Sequence, residues 1–332
     1  MADSRKNAPL LVTGAAGFVG ARFSEACLAA GRSVIAVDRL EHFGERPELA
    51  SLRLRFEATV DREKLWDWLA NEKPRLSGIV HLGACTDTQQ MDEAFLTRVN
   101  LEYSKKIWDH ATAEGIPLVY ASSGATYGDG SRGYDDAEAL IPSLRPLNPY
   151  GESKQRFDLW ALDRERAGSR PPSWCGFKFF NVYGFGERHK GRMASMVLHS
   201  FDQFRKSGAV SLFKSHRPDY ENGKQRRDFI YVGDVVDALR FALDRPIDRG
   251  IYNLGTGRAR TFLDLVAATA DAMKVPGQVK FIDMPVEMRE RYQYFTEARM
   301  DRLRAQGFDR AFLSLEEGVR RTVEDLERAA IS

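Results

Sequence analysis

The sequence predicts an α/β fold with a doubly wound parallel sheet, because two kinds of segment alternate through its first half. Short apolar runs at residues 10–13, 34–37, 78–82 and 117–121 are typical of strands that are buried on both faces. Helix-length segments lie between these runs. Right-handed crossovers between parallel strands place such helices on both faces of one sheet.

The connecting helices are predicted at residues 21–30, 65–71 and 94–113. In the third helix, apolar and aromatic side chains recur at the spacing of a buried helix face. These side chains are Phe95, Val99, Tyr103, Ile107 and Trp108. A further helix is predicted to follow a proline-bearing loop that ends at Pro149, and a strand is predicted at residues 175–180.

After Asn181 the pattern becomes less regular. Residues 189–199 contain a basic, glycine-containing loop and a helix. Residues 213–227 form a charged loop that is longer than loops usually are, which points to function or mobility. Strands are predicted at residues 229–232 and 251–254, and we expect both to return to the main sheet.

The composition of this 332-residue chain is that of a soluble globular protein, with 43% apolar and 29% charged residues. A net charge of +2 gives no field for binding nucleic acid or an anionic membrane. No apolar run is long enough to span a bilayer, and the polar N-terminus lacks a signal-peptide core. The cysteines, Cys27, Cys85 and Cys175, are too widely spaced for a disulfide framework or zinc cluster. We therefore expect a cytoplasmic location and no metal.

A glycine-rich turn follows the first strand and reads Thr13-Gly14-Ala15-Ala16-Gly17-Phe18-Val19-Gly20. Gly14 at the strand end, with Gly17 and Gly20 opening a helix, lets the backbone approach a pyrophosphate. The same arrangement aims the helix N-terminus at the pyrophosphate. Glycines also make ordinary turns, and this spacing differs from GxGxxG, so the motif alone is weak.

An acidic residue at the end of the second strand strengthens the prediction of a dinucleotide site. Asp38 is placed to accept hydrogen bonds from an adenosine ribose. Arg39 follows directly and is suited to a 2′-phosphate, which favours NADP over NAD, although a solvated surface arginine is the alternative. We predict a Rossmann-like dinucleotide-binding domain at residues 8–181 plus 227–257. The rest, 182–226 plus 258–332, is predicted to be a smaller, mostly C-terminal α/β substrate domain.

Tyr150 and Lys154 lie four residues apart on the helix after Pro149, so a phenol and an ammonium share one face. Lys154 can stabilise the phenolate of Tyr150, a base for removing an alcohol proton as hydride leaves for a nicotinamide. Ser123 lies past the end of the strand at 117–121, where α/β sheets place ligands. A chance helix pair and a turn-capping serine are the ordinary alternatives. In this order, the three residues predict hydride chemistry on an alcohol.

The glycine turn, the serine and the Tyr-Lys pair resemble those of the extended short-chain dehydrogenase/reductase family, whose members work on nucleotide sugars. Residues 227–232 and 253–257 match that family too, so the resemblance covers nearly the whole chain. Members that eliminate water place an acidic pair after the serine. This chain has Gly124 and Ala125 there, which implies epimerisation or reduction.

Five further segments are similar to one branch of that family, whose members epimerise C6″ of an ADP-linked heptose for lipopolysaccharide core biosynthesis. The segments are residues 81–86, 121–128, 189–195, 213–220 and 291–293. The resemblance implies that Tyr150 removes the C6″ hydroxyl proton and that Lys190 is a second acid/base. By spacing alone, Lys190 is a surface or phosphate-binding lysine.

The resemblance also implies which residues form the site. The catalytic residues are Ser123, Tyr150, Lys154 and Lys190. The residues that bind NADP, or alternatively NAD, are Gly14, Gly17, Phe18, Val19, Gly20, Asp38, Arg39, Leu82, Gly83, Ala84, Cys85, Thr86, Asn100, Lys154, Val182 and Lys190. The residues that bind the ADP-heptose are Asn181, Arg192, His199, Phe213, Lys214, Ser215, His216, Arg227 and Tyr292.

Some features leave alternatives open. Arg192 stands where a serine often follows the Lys-Gly pair, so a sugar or phosphate contact there is expected to differ. Another sugar-nucleotide epimerase or reductase, such as a UDP-sugar 4-epimerase, is the alternative function. A non-catalytic NADP-binding module is a third, but such proteins commonly lose the tyrosine or lysine. The resemblance implies a homo-oligomer, with a pentamer expected, and neither a nucleic-acid nor a membrane partner.

Overall fold

The computed structural model of the chain describes residues 7–245 and 247–331. Its strands are β1 (Leu10–Thr13), β2 (Val34–Asp38), β3 (Ala58–Asp61), β4 (Gly78–His81), β5 (Leu118–Ser123), β6 (Trp174–Phe179), β7 (Asn181–Tyr183), β8 (Ala209–Phe213), β9 (Arg226–Tyr231), β10 (Gly250–Leu254), β11 (Ala259–Thr261) and β12 (Gln278–Ile282). Seven of them form a parallel sheet in the order β10-β6-β5-β4-β1-β2-β3. The predicted doubly wound α/β fold is therefore confirmed.

The α-helices are α1 (Phe18–Ala29), α2 (Leu40–Gly44), α3 (Ala50–Arg53), α4 (Leu65–Glu72), α5 (Glu93–Leu96), α6 (Tyr103–Ala113), α7 (Pro149–Arg166), α8 (Met196–Ser207), α9 (Val232–Asp244), α10 (Phe262–Met273), α11 (Val286–Arg289), α12 (Asp301–Ala305) and α13 (Leu315–Ile331). A π-helical segment, Thr97–Glu102, joins α5 to α6. A 3₁₀ segment, Arg188–Met193, precedes α8. Among the described residues, no helix is both long and apolar enough to cross a membrane.

Alternate residues of the central strands feed two separate cores, one on each face of the sheet. In β1, Leu10 and Val12 belong to one core and Leu11 to the other. This alternation follows from the two-residue period of a strand. All four residues of β1 are buried, which explains why three of them are apolar, and the fourth is Thr13.

The point where the strand order reverses positions the site. β1 pairs with β2 on one side and with β4 on the other. In such a sheet, the connections leave in opposite directions and open a crevice at the carboxyl ends of the strands. The glycine turn, which follows β1, lies at this crevice.

The rest of the chain adds two small sheets. One has the order β11-β9-β7 and the other pairs β12 with β8. A third core lies under α8, α10 and α13, with Phe201, Leu265 and Val319 fully buried. The proposed division of the chain into two domains stays a prediction.

Of the two C-terminal strands that we predicted to return to the main sheet, one does so and the other does not. Residues 251–254 do pair with β6 of the main sheet, as part of β10. Residues 229–232 do not, because β9 is parallel to β7 and antiparallel to β11 in the three-stranded sheet. An apolar run identifies a buried strand but does not identify its partner.

Candidate active site

A cleft of about 750 Å³ lies at the carboxyl edge of the central sheet. It brings together predicted residues that are far apart in the sequence: Gly14, Gly17, Phe18, Val19, Gly20, Asp38, Leu82, Gly83, Ala84, Cys85, Thr86, Ser123, Tyr150, Lys154, Asn181, Val182, Lys190 and Arg192. We call the part formed by residues 14–20, 82–86, 121–123 and α7 the sheet wall. The part formed by residues 181–196 is called the loop wall.

The glycine turn presents an uncapped helix N-terminus to the cleft. Gly17 caps α1 without a side-chain hydrogen bond, and the first turn of α1 has no acidic residue. Gly14 has a φ of +69°, and a Cβ there would lie 2.7 Å from the backbone nitrogen of Gly83. A Cβ on Gly20 would clash with the carbonyl oxygen of Gly14. The free N–H groups and the helix dipole therefore fit a dinucleotide pyrophosphate.

Asp38 ends β2 beside this turn. One carboxylate oxygen accepts the backbone N–H of Ala16 at 3.0 Å, and the other lies 3.0 Å from Nδ1 of His42. Arg39 lies outside the cleft lining and pairs with Glu41. The cleft is instead lined by Arg46 and Arg62. Sequence reasoning missed these two cations, because Arg46 lies in a loop after α2 and Arg62 in a 3₁₀ segment after β3, away from the glycine turn.

The sheet wall carries Ser123, Tyr150 and Lys154. Asn148 caps α7 by accepting the N–H of Gly151 at 2.8 Å, and this cap fixes where the helix begins. Ser123 is the last residue of β5, whereas we predicted it beyond the strand end. The three residues are only 8%, 8% and 5% exposed, in that order.

Burial shifts the proton affinities of both groups on α7. It raises the pKa of Tyr150, while a hydrogen bond with the Ser123 side chain acts in the lowering direction. Burial lowers the pKa of Lys154 to about 8, although the negative charge of Asp158 acts in the raising direction. The Lys154 ammonium donates to the carbonyl of Ala121 at 2.8 Å, so it is held against β5. The site can therefore keep a positive charge one helical turn from the phenol.

Asn100 lies behind the sheet wall and is fully buried, outside the cleft lining. Its side chain accepts the N–H of Cys85 at 2.8 Å and donates to the Cys85 carbonyl at 3.0 Å. It also donates to Ser153 of α7 at 3.0 Å. The π-helical segment places Asn100 here, and such segments are frequent at functional sites. Its contacts join the loop at residue 85 to α7.

His81 makes a second link across the same wall. Its Nδ1 lies 2.6 Å from the hydroxyl of Thr13, and its Nε2 lies 2.8 Å from that of Ser104. Burial lowers the pKa of His81 to about 3, so the imidazole is neutral near pH 7. It therefore serves as a fixed hydrogen-bond bridge between β1 and α6.

A buried ion pair supports α7 from below. Asp158 and Lys178 are both fully buried, with Nζ and Oδ2 2.6 Å apart. The same carboxylate accepts the hydroxyls of Tyr120 at 3.0 Å and Ser122 at 2.7 Å. Sequence reasoning missed this network. The signals were a charged Lys178 inside an apolar strand and the four-residue spacing from Lys154 to Asp158.

The loop wall carries Lys190. Its side chain is 23% exposed, and its Nζ lies 3.5 Å from the carboxylate of Glu187 and 5.3 Å from the ring centroid of Phe18. Arg192 pairs with Asp87 at 3.0 Å. Both Lys190 and Arg192 line the cleft beside the residues predicted to bind the dinucleotide.

Arg227 and Tyr292 lie outside the cleft lining. The Arg227 guanidinium lies 5.1 Å from the ring centroid of Tyr292 and 5.6 Å from that of Phe262, which does line the cleft. Arg227 donates to the carbonyl of Arg226 at 2.9 Å, and burial lowers its pKa. The structure therefore places these two residues one layer behind the cleft.

The remaining predicted substrate residues also lie outside the cleft lining. Phe213 ends β8, and Lys214 pairs with Asp283 at 3.2 Å. The backbone N–H of His216 donates to Tyr294 at 2.9 Å. The others are Ser215, whose N–H donates to Asn222, and His199, whose ring lies 3.4 Å from the Arg192 carbonyl.

Comparisons with known proteins show the family and the fold of the chain. The sequence model of the NAD dependent epimerase/dehydratase family matches residues 10–255. A relative from Fusobacterium nucleatum named ADP-L-glycero-D-manno-heptose-6-epimerase is 40% identical over 328 residues. The match covers 95% of this chain and 97% of the relative.

Two solved structures share the fold. The ADP-L-glycero-D-manno-heptose-6-epimerase of Helicobacter pylori superposes with a TM-score of 0.80 at 24% identity, covering 98% of each chain. The UDP-glucose 4-epimerase of Thermus thermophilus, solved in complex with NAD, gives a TM-score of 0.74 at 25% identity. That match covers 97% of this chain and 99% of the other.

Proposed function

Because the chain belongs to the NAD dependent epimerase/dehydratase family, we propose that it is an ADP-glyceromanno-heptose 6-epimerase. It interconverts ADP-D-glycero-D-manno-heptose and ADP-L-glycero-D-manno-heptose by transient oxidation at C6″ and reduction from the other face. One observation carries the proposal. The cleft is lined by two side chains suited to proton transfer on different elements, Tyr150 on α7 and Lys190 on the loop wall. If the C6″ oxygen changes place as the side arm turns, the two groups can serve its two positions.

The sheet wall supports the role of Tyr150 as the first base. Tyr150 accepts the C6″ hydroxyl proton, and Ser123 hydrogen-bonds the same oxygen and holds it in place. Lys154 supplies the positive charge that stabilises the phenolate against the effect of burial. The hydrogen bond from Lys154 to the Ala121 carbonyl keeps that charge from moving away.

The loop wall supports the role of Lys190 in the second half of the reaction. After the side arm turns about C5″–C6″, the new alkoxide lies away from Tyr150. Lys190, as an ammonium, donates a proton to that oxygen. The neutral amine later regains a proton from solvent, and Tyr150 releases to solvent the proton that it accepted in the first half. The reverse reaction uses the two groups in exchanged roles.

A nicotinamide dinucleotide supplies the reversible hydride acceptor in this cleft, and we propose that it is NADP. The uncapped start of α1 fits its pyrophosphate and Asp38 its ribose. Arg46 and Arg62 line the same end of the cleft and are suited to a 2′-phosphate. Arg39 lies outside the cleft lining, so the two other arginines support this choice better.

The proposal also covers the cellular location and the oligomeric state of the protein. The three cysteines are free thiols, which fits a reducing cytoplasm. From the resemblance of its sequence motifs, we propose that the enzyme supplies a heptose for lipopolysaccharide and forms a homo-oligomer, with a pentamer as the expected assembly. Sedimentation of the purified protein tests the assembly.

The direct test incubates purified protein with ADP-D-glycero-D-manno-heptose and separates the C6″ epimers by chromatography. Conversion without added cofactor is expected, because the hydride returns to the substrate and a retained dinucleotide can cycle. No conversion even with NADP⁺ or NAD⁺ contradicts the substrate assignment. Turnover of UDP-galactose instead would favour a UDP-sugar 4-epimerase.

A further inference from the structure

Glu187 is a buried carboxylate on the loop wall that no sequence motif indicated. The residue is only 1% exposed. It accepts the backbone N–H of Ser195 at 2.7 Å, the Ser195 hydroxyl, and the N–H of Gly184 at 3.4 Å. All of these partners donate to the carboxylate, so its two oxygens are held in place within the loop wall.

Lys190 is the cation next to this carboxylate. Its Nζ lies 3.5 Å from Oε2 of Glu187, and its backbone N–H donates to the Glu187 carbonyl at 3.0 Å. Both residues therefore belong to one tight turn. The pair is partly buried, so solvent screens its attraction less than it would screen an exposed pair.

Two arginines close to Lys190 in the sequence pair with other carboxylates. Arg192 pairs with Asp87 at 3.0 Å, and Arg188 pairs with Asp202 at 2.9 Å. Burial lowers the pKa of His189 to about 4, so it is neutral near pH 7. The groups that act on His189 from the dinucleotide side are Arg46, His42 and Asp38. Glu187 is the carboxylate in bonding contact with the Lys190 ammonium.

We propose that Glu187 is a positioning residue for Lys190, which holds the ammonium on the loop wall and stabilises its protonated form. The inference rests on the proposed function, in which Lys190 donates a proton to the inverted C6″ oxygen. A group that donates must enter that step protonated, and a neighbouring carboxylate favours this state. Ser195, which caps α8, fixes the carboxylate in turn.

The first test measures the protonation of Lys190 without substrate. Trace acetylation with acetic anhydride, quantified by mass spectrometry across pH, reports the midpoint at which Lys190 becomes a neutral amine. In Glu187→Gln, which keeps the shape and removes the charge, the midpoint should fall to lower pH. Glu102→Gln is the matched control, since Glu102 forms the same i, i+3 pair with Lys105 at 2.8 Å. An unchanged midpoint in Glu187→Gln overturns the inference.

The second test measures the pH dependence of epimerisation. The alkaline limb for ADP-D-glycero-D-manno-heptose should move to lower pH in Glu187→Gln, because the ammonium is lost sooner. Ser195→Ala keeps the charge and loosens its support, so it should move the limb in the same direction by less than Glu187→Gln does. An alkaline limb at the same pH in wild type and in Glu187→Gln contradicts the inference. If Glu187→Gln does not fold, Glu187→Asp, with a retracted carboxylate, should shift the midpoint in the same direction by less, and no shift contradicts it.

The proposed function and the proposed role of Glu187 would be contradicted by different results. The acetylation midpoint is measured without substrate, so it tests the Glu187–Lys190 pair even if the protein epimerises no ADP-heptose. Conversely, wild-type conversion with an unchanged midpoint in Glu187→Gln leaves the proposed function standing and removes only the role of Glu187.

Discussion

The two walls of the cleft hold their lysines in different ways. On the sheet wall, Lys154 is 5% exposed and donates to a backbone carbonyl at 2.8 Å. On the loop wall, the Lys190 side chain is 23% exposed and lies 3.5 Å from a carboxylate. Lys154 is fixed by a strand and a long helix, whereas Lys190 lies in a short 3₁₀ segment.

The difference matches the work proposed for each wall. A base that acts beside a fixed nicotinamide gains from a rigid, desolvated setting. A second acid that must regain a proton from solvent gains from partial exposure. The sheet wall is then the rigid part of the site, and the loop wall is the more open part.

Loss of the phenol should have the largest effect. Tyr150→Phe keeps the ring and removes the proton acceptor, so epimerisation should fall by about 10²–10⁴-fold with the fold intact. The rate of epimer formation by chromatography measures this. Tyr252→Phe is a matched control, since its hydroxyl donates to the Asp248 carbonyl outside the cleft lining. A Tyr150→Phe rate near that of Tyr252→Phe would remove Tyr150 from the mechanism.

The rigidity of the sheet wall depends on the buried pair below α7. Lys178→Met leaves the Asp158 carboxylate buried without its cation, so the free energy of unfolding should fall by about 3–5 kcal/mol. Lys105→Met breaks an exposed pair and should cost about 1 kcal/mol or less. Urea denaturation of both variants measures the two costs. Similar small losses would show that the sheet wall does not depend on this pair.

The Tyr-Lys pair was predictable from the sequence because a helix fixes the geometry of four-residue spacing locally. The glycine turn was predictable for the same reason. Glu187 and Lys178 were not, since their partners Ser195 and Asp158 are defined only when separate elements pack together.

The strands away from the main sheet were the hardest to predict. β8 and β12 were missed, and β12 is largely exposed, so it has no continuous apolar run. Arg227 and Tyr292 were assigned through family resemblance alone. The structure places them together but behind the cleft, a position that the sequence pattern does not encode.

The buried Lys154 should make stability depend on pH. Its folded-state pKa of about 8 lies below the ordinary value of 10.5, so burial of the charged ammonium penalises folding. The penalty is full below pH 8 and is relieved as pH rises towards 10.5. Wild type should therefore gain about 2 kcal/mol relative to Lys154→Met between pH 8 and about 9.5. Chemical denaturation at the two pH values measures this, and a constant difference would contradict the shift.

The smallest effect is expected at Arg192 on the loop wall. Its pair with Asp87 is exposed, so Arg192→Ser should change stability by less than about 1 kcal/mol. Steady-state kinetics should show a change in KM of less than about fivefold, because solvent screens the lost charge. Loss of turnover on the scale of Tyr150→Phe would show that Arg192 takes part in the chemistry.

The most direct test of two proton-transfer groups on two walls is Lys190→Met. The variant should nearly abolish formation of the C6″ epimer. Because Tyr150 is intact, the substrate should still be oxidised, which is measured as the absorbance of the reduced nicotinamide in a single turnover. Lys105→Met, which removes a lysine from a comparable i, i+3 pair, should keep wild-type epimerisation. Wild-type turnover in Lys190→Met would contradict the two-group account.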